Sequence, residues 1–141
     1  MSNTQDFKPD NLFISEQGLI KLGDFGLATQ LEHSCSKRQT VCGTLWYMGP
    51  EVYEKEGSLK SDVWSLGISI IEMADGKNPF GGCPMASVMY RIVNDPPPTL
   101  SSSGWSADMA DFVKECLIHD VEERASVAEL LDVLAVVPAY E

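Results

Sequence analysis

Between Lys60 and Ala74 the sequence sets Val63, Trp64, Leu66, Ile68, Ile70, Ile71 and Met73, so a helix drawn through them is apolar on nearly every face. A helix of that kind cannot stay wet. It has to be the axis against which other elements pack, and Gly76 supplies its stop, because glycine turns left-handed without a steric penalty. Pro84 opens a further helix running to about Val93. Ser106 can cap another, in which Met109, Phe112, Val113, Cys116 and Leu117 recur at helical spacing. Ser126 and Glu129 form a capping box ahead of a stripe made by Val127, Leu130, Leu131 and Leu134. Near the start, Leu12-Phe13-Ile14 and Leu19-Ile20-Lys21-Leu22 flank Glu16-Gln17-Gly18 and read as a hairpin. Periodicity is lost from Gly26 to Met48 and the chain turns helical after Glu51. The expected fold is mainly α with one small β-hairpin.

Composition narrows the function classes. Apolar residues make up 44% of the chain, but no run is long enough to span a bilayer, which takes about 20. A formal net charge of −11 argues against nucleic acid and anionic membranes and favours basic peptides as partners. Cys35, Cys42, Cys83 and Cys116 lack the paired spacing of a zinc site or disulfide framework, and no charged-then-apolar leader opens the chain. A reducing, cytoplasmic location is expected.

Chemistry enters with Asp6-Phe7-Lys8-Pro9-Asp10-Asn11 followed by Asp24-Phe25-Gly26. Phosphoryl transfer needs a base at the attacking hydroxyl, a cation on the moving phosphate and oxygen ligands for magnesium. Asp6 suits the first task and Lys8 the second. Asn11, through its amide oxygen, and Asp24, through its carboxylate, suit the third, with Phe25 as an apolar anchor and Gly26 giving the turn its freedom. Each piece alone could be a turn residue or a surface charge. Their order, continued by Gly43, Thr44, Pro50, Glu51, Asp62, Gly67 and Arg124, is what carries the argument.

From about Asp6 to Leu131 this set resembles the catalytic and C-terminal lobe of eukaryotic serine/threonine protein kinases. Ser36 to Thr44, Asp62 to Ile68, Ile71 to Lys77 and Asn94 to Thr99 are similar to the sterile-twenty group, in its Hippo-type and small-GTPase-activated branches near the top of mitogen-activated kinase cascades. The resemblance implies a partial kinase domain over 1–141, an activation segment over 24–51, ATP and Mg2+ as cofactors, and protein substrates such as basic peptides or downstream kinases. It implies an activating phosphorylation at Thr40, a substrate loop at Thr44, an Asp62 carboxylate holding the catalytic loop, and a buried Glu51–Arg124 pair.

Two departures bear on function. Thr4-Gln5 stand where the family has His-Arg, which removes a guanidinium able to receive phosphothreonine; Gly49 and Leu45 are milder replacements of Ala and Pro. The glycine-rich loop, strand lysine and partner glutamate of the family are absent from these residues. The isolated chain is therefore expected to be inactive and to self-associate through surface left uncovered. A non-catalytic kinase-like binding module, or pseudokinase fragment, is the alternative.

Overall fold

A computed structural model describes residues 7–23, 45–54, 57–101 and 104–136. A 3-10 turn at Pro9–Asn11 leads into strands β1 (Leu12–Ile14) and β2 (Ile20–Leu22), and five α-helices follow among the described residues. These are α1 (Pro50–Tyr53), α2 (Ser61–Asp75), α3 (Met85–Asn94), α4 (Ala107–Cys116) and α5 (Val127–Val136). The architecture is mainly α with one two-stranded antiparallel sheet among the described residues.

The hairpin pairs Leu12 with Leu22, Phe13 with Lys21 and Ile14 with Ile20. β2 begins one residue later than its apolar run because Leu19 is bound into the turn. Its N–H donates to Ser15 Oγ at 3.1 Å and its carbonyl accepts from Ser15 N at 2.9 Å.

α2 is the axis of the core. Val63, Trp64, Ile68 and Ile71 are buried, meeting Val88 and Ile92 of α3, Val113, Cys116 and Leu117 of the α4 end, and Phe80. Gly76 caps it at φ 71°, in the left-handed region, as the stop required. Gly67 lets α4 approach closely: a β-carbon there would lie 2.8 Å from Cys116 Cβ and 2.8 Å from Leu117 Cδ2. Gly67→Ala is therefore expected to destabilise the chain by about 1 to 3 kcal/mol in chemical denaturation. An unchanged midpoint would show that the two helices separate freely.

The caps form as the sequence indicates. Ser106 Oγ accepts from Met109 N at 3.2 Å, while Ser126 N donates to Glu129 Oε2 at 2.7 Å and Glu129 N to Ser126 Oγ at 3.3 Å. Two expectations of burial are corrected. Met73 of α2 is 56% exposed, and of the expected α5 stripe only Leu130 enters the core while Val127, Leu131 and Leu134 stay more than half exposed. The reason is geometric for Met73 and Leu134, since α2, α4 and α5 leave an open cleft between them there. No helix among the described residues is long and apolar enough to cross a membrane. Cys83 and Cys116 are free thiols, and burial, followed by the charge of Glu115, pushes the Cys116 thiol up to about 12.

Candidate functional site

Pro9 at the first position of the 3-10 turn has its φ already set, and the turn closes with Asn11 N donating to Lys8 O at 3.0 Å. Lys8 is half-buried at its entrance, and Asn11 is 6% exposed at its end. The hairpin then returns the chain, and Gly23 N donates to Asn11 O at 2.8 Å. The residue preceding Asp24 is thus tied to Asn11, although the two are separated by the whole hairpin. Asp6, Asp24, Phe25, Gly26, Thr40 and Thr44 lie outside the described residues. Among the described residues no cluster of three or more His, Cys, Asp or Glu could hold a metal ion.

Arg124 is the most completely engaged side chain. It is 1% exposed, and its five N–H donors all find acceptors. Nη1 and Nη2 reach Glu51 Oε1 and Oε2 at 2.8 and 2.9 Å as a two-pronged pair. The remaining bonds go to the carbonyls of Ile118, Lys60 and His119 at 2.8, 2.9 and 3.3 Å. Its guanidinium carbon stands 5.2 Å from the centroid of the Trp64 ring, which also packs on His119. Ser61 Oγ gives Glu51 Oε1 a further bond at 2.7 Å. Burial alone would raise the Glu51 carboxyl; the bonds from Arg124 and Ser61 and the guanidinium charge outweigh it and hold the carboxyl below its ordinary value. One polar cluster therefore fastens α1 to the start of α2 and to the loop before α5. Asp62, half-buried in the first turn of α2, lines a small recess with Met48, Gly49 and Val52.

A second anchor was not read from the sequence. Tyr47 OH donates to Glu72 Oε2 at 2.6 Å, and Asn78 Nδ2 donates to the same oxygen at 2.7 Å. Ser65 Oγ donates to Tyr47 O at 2.7 Å and Tyr53 OH to Leu45 O at 2.6 Å. These bonds pin Tyr47 onto α2 and Leu45, the residue immediately after Thr44, onto Tyr53 at the end of α1. Burial and then the Glu72 carboxylate raise the Tyr47 hydroxyl above its usual range, so it stays a donor. No short-range signal could have found the set, because its partners lie 25 and 18 residues apart.

Comparison with known proteins gives the family. The family model described as the protein kinase domain matches residues 4–134. A relative, the serine/threonine-protein kinase hippo of Drosophila melanogaster, is 41% identical over 130 residues, which cover 91% of this chain. The matched stretch is 19% of that relative's length. The chain belongs to the protein kinase domain family, and its similarity lies with the Hippo-type serine/threonine kinases.

Proposed function

We propose that this chain carries the catalytic-loop and magnesium-loop half of an ATP-dependent protein serine/threonine kinase site, acting in a cytoplasmic signalling cascade of the mitogen-activated type. The observation that carries the reading is the bond from Gly23 N to Asn11 O, because it brings the turn bearing Lys8 and Asn11 against the residue before Asp24. In this reading Asp6 accepts or orients the substrate hydroxyl proton and Lys8 steadies the transferred phosphate. Asn11 and Asp24 offer an amide and a carboxylate oxygen, the hard donors that magnesium takes. When bound, magnesium neutralises charge on the phosphates. Thr44 and the pinned stretch behind it receive the serine or threonine of a protein substrate. Asp62 holds the catalytic loop, and Phe25 and Gly26 shape the turn at Asp24.

The test is transfer of labelled phosphate to a basic protein. The 141 residues contain no glycine-rich phosphate loop, so alone they are expected to give no transfer above background. A polypeptide that adds the other nucleotide contacts is expected to label serine or threonine. Label on tyrosine, or robust turnover by the 141 residues alone, would sink the respective part of the reading.

Regulation falls on Thr40 within the activation segment, 24–51. A phosphate there adds about −1.5 to −2 charge at pH 7 and orders a loop only where cations receive it. Gln5 occupies the position of the expected receiver, and Lys37 and Arg38 are close to Thr40 in sequence. Phosphorylation of Thr40 in such a two-lobed enzyme is therefore expected to activate modestly, and Gln5→Arg to restore strong activation. Equal activation in both backgrounds would show that another residue reads Thr40.

A further inference from the structure

Asn78 precedes Pro79, whose ring keeps the residue before it out of the helical region, and its side chain closes a turn onto the following backbone. Phe80 N donates to Asn78 Oδ1 at 2.9 Å and Gly81 N to Asn78 O at 3.0 Å. Phe80 is 3% exposed, so the turn is seated in the core. A backbone N–H can only donate. The amide oxygen of Asn78 is therefore the atom facing Phe80 N, and the NH2 end faces α2. There Asn78 Nδ2 donates to Glu72 Oε2 at 2.7 Å, on the same oxygen that accepts from Tyr47 OH at 2.6 Å.

Among the described residues the ion pairs are Arg91 with Asp95 and Arg124 with Glu51, and neither includes Glu72. Hydrogen bonding is what fixes its half-buried carboxylate, and Asn78 supplies one of the two donors. Tyr47 is 7% exposed and gives its hydroxyl proton to that carboxylate. If the carboxylate swings to water, the hydroxyl is left buried without its acceptor. Burial, then Glu72, and last the charge of Asp10 raise the Tyr47 hydroxyl, which places it within reach of the turn that bears Lys8 and Asn11.

We propose that Asn78 is a positioning residue for the protein substrate: its amide holds the Glu72 carboxylate where Tyr47 needs it, and so keeps Tyr47, in the stretch behind Thr44, on α2. The role rests on the reading in which Thr44 and that stretch receive a serine or threonine. Asn78 touches no reacting atom. It acts through Glu72 and Tyr47, and one substitution isolates the action. Asn78→Asp keeps the oxygen bonded to Phe80 N and sets a second oxygen against Glu72 Oε2, where two carboxylates repel. Adding Glu72→Gln returns a donor, since an amide at position 72 has two N–H groups, one for the carboxylate at 78 and one for the Tyr47 oxygen.

Two measurements test this. On the 141-residue chain, amide hydrogen exchange is followed at Met48, whose N–H bonds to Leu45 O beside Tyr47, and at Gly23, whose N–H bonds to Asn11 O behind the hairpin. Asn78→Asp should speed exchange at Met48 about tenfold, as the loss of one bond to a charged group does, and leave Gly23 within about twofold. In a polypeptide that adds the other nucleotide contacts, the same change should raise the KM for a basic protein substrate about tenfold and move the nucleotide KM less than about twofold. The double variant with Glu72→Gln should return both Met48 exchange and the substrate KM to within about threefold of the parent. Equal acceleration at Met48 and Gly23 would make Asn78 a general stabiliser, and unchanged exchange at Met48 would show that Tyr47 stays in place without it. Either result overturns the proposal, as does an unaltered substrate KM or a double variant no better than the single. Absence of transfer by the parent itself would sink the phosphoryl-transfer reading and the substrate role with it, while Met48 still decides whether Asn78 holds Tyr47.

Discussion

Arg124→Ala is expected to lower the stability of the chain by about 3 to 5 kcal/mol, a large share of the roughly 5 to 15 kcal/mol that holds a domain folded. The loss is large because the substitution leaves the buried Glu51 carboxylate with Ser61 Oγ as its remaining side-chain donor, and strips the carbonyls of Lys60, Ile118 and His119 of their shared partner. Glu51→Ala should be of the same order, since it leaves a guanidinium that is 1% exposed without its counter-charge. Because removing either partner already breaks the pair, the double variant should cost less than the sum of the two. Urea denaturation of the four proteins measures this, and additive losses would show that the residues act separately. The pair also makes stability depend on pH. The Glu51 carboxyl lies below its ordinary value when folded, so its contribution is full above the ordinary carboxylate range near pH 4.3 and fades as pH falls through the folded value. Glu51→Gln should flatten that acidic limb; an unaltered limb would assign it to other carboxylates.

Asp6→Asn, in a polypeptide that supplies the remaining nucleotide contacts, is expected to reduce kcat by about 10²- to 10⁴-fold with little change in the nucleotide KM. The substitution keeps shape and removes only the ability to take a proton. Asp24→Asn should differ in kind, because it takes away a magnesium ligand rather than a base. Its expected signature is a loss of similar size in kcat/KM together with a raised magnesium requirement, partly recovered at high magnesium. Steady-state kinetics over a magnesium series separates the two. If neither change slows transfer, the phosphoryl-transfer assignment fails and the binding-module alternative takes its place.

Much of this molecule is legible along one dimension. α2 follows from an apolar run with Gly76 behind it, the starts of α4 and α5 from Ser106 and the Ser126–Glu129 box, and the hairpin from two short apolar runs around a glycine. All of these rest on contacts between residues a few positions apart, which spacing encodes. The order of Asp6, Lys8, Asn11 and Asp24 is what carries the resemblance to the kinase family, and their chemical roles remain the proposal made above. Other features exist only once the helices pack. Glu51 and Arg124 stand 73 residues apart, and only packing delivers the three backbone carbonyls that complete the guanidinium shell. Tyr47, Glu72 and Asn78 look like ordinary polar positions until α2 brings them to one carboxylate oxygen. Periodicity marked every face of α2 and the whole stripe of α5 as core, yet burial depends on what lies opposite. Leu130 is enclosed; Met73, Leu131 and Leu134 stay more than half exposed. Local spacing therefore determined the elements, and tertiary packing decided which apolar faces are covered and which polar groups meet.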